Sequence, residues 1–236
     1  MRLLVSVVDP EEVSAALEGG ADIVDVKNPL EGSLGAPTPA VVARVRARVR
    51  PPRLVSVALG DAPHLPGTLA LAALGAASCG ADLVKVGLAG SSTVERAAAL
   101  LRAVREAVPD RVRVVAVAYA DSFRIGGLPP QFLLEAASAA GVDGVMLDTA
   151  IKDSATLWEF VEDSWLRTWV AEARSRGLLC ALAGSLRLAD LPRLAVLGPE
   201  VVGFRGAVTD GGRTGRVDRR KVAALHRAIL RLSATG

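Results

Sequence analysis

Residues 19–29 read GGADIVDVKNP, a short apolar run that carries Lys27 on its end and stops at Asn28-Pro29. The phrase returns along the chain. CGADLVKVGL at 79–88 has Lys85 where the first copy has Asp25, and AGVDGVMLDT at 140–149 has Asp148 where it has Lys27. A weaker copy, GPEVVGFRGA at 198–207, brings Arg205 into the register of Lys27. A phrase that recurs about every 60 residues points to a fold assembled from copies of one supersecondary unit.

Eight apolar, β-rich runs can be marked, at 3–8, 22–26, 53–59, 82–88, 112–119, 144–148, 178–184 and 201–206. Helical patterns lie between them. In the first, Asp9 is placed to cap, Pro10 to take the first helical position, Glu11 and Glu12 to meet the positive helix end, and Gly19-Gly20 to stop it. TLWEFVEDSWLRTWVAEARSRG reads as one longer helix. Eight strand-then-helix units leave about 30 residues each, the accounting of an α/β fold of the (β/α)8 TIM-barrel type. The expectation is a single domain over residues 1–236. A doubly wound open sheet is the competing arrangement, but no GxGxxG follows the first strand.

Composition agrees with this reading. Apolar residues make up 51% of the chain and aromatics 3%, so the core must be built of Val, Leu, Ile and Ala, which suits a buried parallel sheet under Ala-rich helices. The net charge is +3, with basic and acidic residues interspersed, and no nucleic-acid or membrane footprint is legible. Cys79 and Cys180 lack paired or metal-type spacing, which fits a reducing cytoplasm, and both read as core fillers. The start, MRLLVSVVDPEE, turns acidic too early for a secretory signal. The uncharged run from Leu65 to Ala81 contains Pro66, is too short to span a membrane, and reads as a buried helix. No metal-ligand cluster, Ser/His/Asp spacing or dinucleotide fingerprint is present, so neither metal nor cofactor is expected.

The four copies fall on strands 2, 4, 6 and 8, and residues two apart on a strand share a face. Asp25 and Lys27, Lys85 and Gly87, Met146 and Asp148, and Gly203 and Arg205 are therefore predicted to point together into the barrel near its carboxyl-end mouth, where such barrels place their active sites. Lysine usage sharpens this. Of 28 basic residues only Lys27, Lys85, Lys152 and Lys221 are lysines, and the first three lie at or just past predicted strand ends. A primary amine can lose its proton and attack a carbonyl; a guanidinium cannot. Two amines in one desolvated pocket disfavour each other's charge, so Lys27 and Lys85 are the candidate nucleophile pair. Asp25 and Asp148 are placed to orient or deprotonate. A buried salt-bridge network closing the barrel is the structural alternative.

The loops add an anion site. Strand 7 ends at Gly184-Ser185 and strand 8 at Gly203, Arg205 and Gly206, small residues that let backbone N–H groups approach a phosphate, unless they only mark tight turns. Lys152, four residues past Asp148, is either a second cation for an anionic substrate or a plain loop lysine. YADSFRIGG contributes Tyr119, Asp121 and Arg124 without an assignable role. EGSLGAPTP and GDAPHLPGT, long loops on the same side, are candidate lids, and His64 in the second reads as a surface residue.

These groups suit a phosphorylated carbonyl substrate held as a Schiff base, whose iminium makes the neighbouring C–H acidic and opens aldol, isomerisation and elimination steps. In ADIVDVKNPLEGSLGA, LGDAPHLPGT, GADLVKVGL, YADSFRIG, MLDTAIKD, CALAGS and GFRGA, nearly the whole chain in order resembles the (5-formylfuran-3-yl)methyl phosphate synthase family. AYADSF and TDGGRTGRV depart modestly from its pattern. The resemblance implies a barrel lyase of methanofuran-type cofactor biosynthesis that joins two glyceraldehyde 3-phosphates into a phosphorylated furan aldehyde with loss of phosphate and water. It implies Lys27 as the Schiff-base lysine, Lys85 as proton acceptor, and Asp25, Asp148 and Lys152 in support. A Schiff-base aldolase acting on another sugar phosphate, and a barrel that binds a sugar phosphate without turnover, are the alternatives. The expected partner is a small phosphorylated triose; homo-oligomers are compatible with the fold, though no stretch identifies an interface.

Overall fold

The structure, a computed structural model, describes residues 1–234. Eight parallel strands pair in sequence order and close on themselves: β1 (Arg2–Val7), β2 (Ile23–Val26), β3 (Leu54–Ala58), β4 (Leu83–Gly87), β5 (Arg113–Tyr119), β6 (Gly144–Asp148), β7 (Leu179–Leu182) and β8 (Val201–Phe204). Each is followed by an α-helix: α1 (Val13–Glu18), α2 (Pro39–Arg48), α3 (Pro66–Ser78), α4 (Val94–Ala107), α5 (Leu133–Ala140), α6 (Asp163–Ser175), α7 (Leu191–Leu197) and α8 (Arg219–Ala234). The chain is a (β/α)8 barrel, as the repeat predicts.

Both faces of each strand are buried, so the runs look continuously apolar, yet alternation still sorts the residues. Val24, Val26, Val84, Val86, Val145 and Leu147 pack outward under the helices. Leu4, Ile23, Leu83, Val115, Val117, Met146 and Ala181 fill the barrel. Asp25 and Lys27 share parity with Ile23, and Lys85 with Leu83, so they project into that interior.

The acid that precedes each even strand explains part of the repeat. Asp22, Asp82, Asp143 and Glu200 accept from the amides of Leu3, Val55, Val114 and Cys180 on the preceding odd strand, at 2.8, 2.8, 2.8 and 2.6 Å. Each carboxylate is also paired with an arginine: Arg53, Arg46 and Arg105 at 2.8 Å, and Arg174 at 3.7 Å. Charge-assisted bonds of this kind pin the register at the amino-end rim.

Several local expectations are corrected. Asp9 caps a 3-10 turn, Pro10–Glu12, that leads into α1, rather than capping α1 itself, and Glu12 is buried instead of facing the helix end. Helix α3 buries one face only. Leu69, Ala73, Ala76 and Ala77 rest inward while Leu71 and Leu74 are 73% and 47% exposed, because an outer-ring helix touches the barrel along a single stripe. The long pattern from Thr156 is two elements, since the Glu159 carboxylate caps the Thr156 amide at 2.7 Å and closes a separate 3-10 turn before α6 begins. Lys85 is the middle residue of β4, a step deeper than a strand end. Of the cysteines, Cys180 is buried and Cys79 only partly. No helix among the described residues is long and apolar enough to cross a membrane.

Replacing Asp143 by Ala removes one rim latch, taking the acceptor from the Val114 amide and leaving the Arg105 guanidinium only backbone carbonyls. The urea midpoint is expected to fall by the equivalent of about 1–3 kcal/mol, with Asp143→Asn losing less; an unchanged midpoint in Asp143→Ala would show that the latch contributes nothing.

Candidate active site

The even strands place two tiers of side chains inside the barrel. The lower tier holds Asp25, Lys85, Met146 and Gly203, and the upper holds Lys27, Gly87, Asp148 and Arg205. Above them lies a cavity of about 490 Å³, lined among others by Lys27, Lys85, Asp148, Lys152, Gly184 and Gly206.

In the lower tier Lys85 Nζ donates to Asp25 Oδ2 at 2.8 Å, and Ser6 Oγ donates to the same oxygen at 2.9 Å. Asp25 is fully buried, and its Oδ1 meets no partner among the described residues; nor does Ser56 Oγ, on the register neighbour of Asp25 in β3. In the upper tier Asp148 accepts from Lys152 Nζ and from the Thr149 amide, each at 2.7 Å. Burial pushes the Asp148 carboxyl up, but Lys152, Lys27 and these hydrogen bonds outweigh it and hold the group below the usual carboxylate range.

Lys27 is treated differently. Lys85 and Lys152 each have a carboxylate, whereas among the described residues the Lys27 ammonium has only the Ser33 carbonyl at 3.4 Å. The side chain is 6% exposed. Burial drives its pKa down to about 7; Asp148 and Asp25 oppose this, while Lys85 and Lys152 add to it. The neutral amine is therefore far more accessible near neutral pH than in an exposed lysine.

Loops complete the mouth. The loop after β2 folds inward, with Leu34 buried in the barrel cluster and Ser33 Oγ donating to the Thr149 carbonyl at 3.0 Å. Gly35 is required there, because a Cβ would lie 2.1 Å from the Asn28 carbonyl oxygen. At the end of β7 Gly184 and Ser185 take φ of +106° and +54°, the latter uncommon for a residue with a side chain. The amides of Ser185, Leu186, Gly206 and Ala207 meet no acceptor among the described residues, which is the arrangement an oxyanion needs. Gly203 keeps the wall below them low, its missing Cβ lying 3.4 Å from that of Ala183.

Arg205 is brought to the mouth but faces away from this cradle. Its five N–H groups are all engaged: with Glu12 at 2.6 and 3.1 Å, and with the carbonyls of Ser6, Arg213 and Gly215 at 3.0, 3.0 and 2.7 Å. Among the described residues buried Glu12 pairs with no other cation, so the guanidinium is a clasp between the first and last βα loops.

Asp61, from the loop after β3, is a residue that sequence reasoning missed. It fills the space left by Gly87, where a Cβ would lie 1.9 Å from Asp61 Oδ1 and 2.9 Å from Tyr119 Oη. Tyr119 donates to the Asp61 carboxylate, its Oη lying 2.9 and 2.7 Å from the two oxygens. Burial and the nearby Asp61 charge raise the phenol well above its ordinary value, and burial raises the Asp61 carboxyl. The signal available was Gly87 itself, a glycine in the tier where the other even strands carry charge. Asp121, fully buried, accepts from the Ala150 and Ile151 amides at 2.6 and 3.0 Å and so fixes the segment that carries Lys152; Arg124 bonds Asp153 at 2.6 Å on the same loop pair. His64 lies exposed on the loop after β3 and takes no part.

The 4-HFC-P synthase family model matches residues 3–226. The chain belongs to that family. Its relatives include the (5-formylfuran-3-yl)methyl phosphate synthases of Methanocaldococcus jannaschii, 47% identical over 95% of this chain and 98% of that protein, and of Methanothermobacter thermautotrophicus, 47% identical over 95% and 97%. Members of the 4-HFC-P synthase family being enzymes, this chain is one. Among solved structures, phosphoribosyl anthranilate isomerase from Thermus thermophilus superposes with a TM-score of 0.66 at 16% identity, covering 98% of this chain and all of that one. 3-Hexulose-6-phosphate synthase gives 0.65 at 20% identity, over 97% and 100%. At those identities the likeness is one of fold.

Tyr119 is the single tyrosine of the chain, so its ionisation can be followed directly by absorbance. Asp61→Asn removes the neighbouring negative charge and is expected to bring the phenol titration down towards its ordinary range while burial keeps it above; an unshifted titration would show that the contact is absent in solution.

Proposed function

We propose that the protein is a Schiff-base lyase that condenses two molecules of glyceraldehyde 3-phosphate into (5-formylfuran-3-yl)methyl phosphate. One phosphate and two waters leave, which balances the atoms. The observation that carries the reading is the state of Lys27: a buried amine at the mouth without a carboxylate partner, in a chain related over nearly its whole length to proteins that bear this name.

Neutral Lys27 attacks the carbonyl of a bound triose phosphate, and loss of water leaves an iminium. Positive charge on that nitrogen acidifies the adjacent C–H. Lys85 first passes its own proton to Asp25 and, as a neutral amine, then receives the proton from carbon. The resulting enamine attacks the aldehyde of a second triose and forms the C–C bond. Asp148, held by Lys152 and the Thr149 amide, stabilises the cationic iminium from across the barrel and orients Lys27. Elimination and ring closure then lead to the furan, and hydrolysis of the iminium frees Lys27. The amides at Ser185, Leu186, Gly206 and Ala207, shaped by Gly184 and Gly203, bind a substrate phosphate; Arg205 supports that site by holding the loop. A reducing cytoplasm is the compartment we assign to it.

Adduct formation at Lys27, trapped with borohydride and located by peptide mass spectrometry, is expected to rise about tenfold per pH unit below pH 7 and to level off above it, because only the deprotonated amine is nucleophilic. An inflection near 10 would mean an ordinary exposed lysine, and an adduct elsewhere would displace Lys27 from the role. Lys27→Arg should give no adduct and no furan absorbance.

Lys85→Gln is expected to keep adduct formation while lowering furan and phosphate release by about 100-fold or more, the usual scale for a lost proton acceptor. A reversible aldol product without furan from the unaltered protein would make it an aldolase instead.

A further inference from the structure

One buried guanidinium N–H at the mouth has no partner among the described residues. Nε of Arg213 is buried and meets no acceptor among the described residues, while Nη2 of the same guanidinium donates to the Gly32 carbonyl at 2.6 Å. A buried N–H on a charged group is costly unless something accepts from it. Arg213 lies on the loop after β8, and its side chain lines the cavity that also contains Lys27, Asp148 and Lys152.

The surrounding bonds hold it in place. Arg205 donates to the carbonyls of Arg213 and Gly215, so the buried Arg205–Glu12 pair anchors the loop on either side of Thr214. Gly32, to which the guanidinium is tied, precedes Ser33, whose carbonyl faces Lys27 Nζ. The donor therefore sits on the β2 side of the mouth, whereas the amide cradle lies over β7 and β8.

On the synthase reading above, two triose phosphates bring two phosphate dianions into one cavity. We propose that Arg213 binds the second of them, the one the amide cradle does not hold. An unpaired Nε–H beside an Nη is the side-on fork that suits a phosphate. The two sites also differ in a way the reaction requires. The cradle offers neutral backbone amides, whereas Arg213 brings a positive charge that offsets the charge gathering on a phosphate as its C–O bond breaks. One phosphate stays on the product. The other departs when a base takes a proton from the carbon next to the one that bears that phosphate, a C=C bond forms and the C–O bond electrons leave with the phosphate oxygen.

The test separates the two substrate molecules. Arg213→Gln is expected to leave the glyceraldehyde 3-phosphate concentration for half-maximal borohydride labelling of Lys27 within about twofold of the unaltered protein, and to lower furan formation and phosphate release by about 100-fold. Arg213→Lys, which keeps the charge without the fork, should recover part of the loss. If labelling falls in step with furan formation, the proposal is overturned and Arg213 is a clasp on the β2 loop. Undiminished furan formation in Arg213→Gln overturns it as well. No furan from the unaltered protein in the same assay would instead defeat the synthase reading, and this inference with it.

Discussion

Three lysines and two carboxylates share the interior of the barrel mouth, and the imbalance governs everything built around it. Asp25 takes Lys85 and Asp148 takes Lys152, each at hydrogen-bond distance. Lys27 is left with a carbonyl at 3.4 Å and is itself almost fully buried. Desolvation of an ammonium is the largest influence on it, and the neighbouring charges only partly cancel that cost. A third carboxylate, beside Lys27, would have stabilised the fold and silenced the amine. Stability and nucleophilicity conflict at this one atom, and the conflict is resolved by pairing the other lysines.

The remaining charges are arranged so as not to disturb that balance. Arg205 stands in the same tier as Lys27, but Glu12 and three carbonyls use every donor it has. Its charge is neutralised locally and its rigidity passes to the loop that carries Arg213. Asp61 and Tyr119 occupy the place where β4 has no side chain, their proton shared in one contact and their charge kept away from the amine. The amide cradle over β7 and β8 adds attraction for an anion without adding a further titratable group to the site.

The sequence by itself determined the barrel. Eight apolar runs with period-two parity, separated by helical patterns and repeated with a leading acid, admit almost no other closed arrangement, and parity alone sent Asp25, Lys27, Lys85 and Asp148 to a common interior. Those inferences need only local geometry: side chains alternate along a strand, and copies of one unit stack in order. What parity could not decide was depth and partnership. Lys85 lies a tier below Lys27, Arg205 turns to Glu12 across 193 positions of sequence, and Asp61 arrives from a loop to fill the void at Gly87. Which lysine is left without a carboxylate, and so which one is neutral, is settled by distances of a few ångströms between residues far apart in the chain, because Coulomb attraction and desolvation depend on spatial neighbours rather than on sequence spacing.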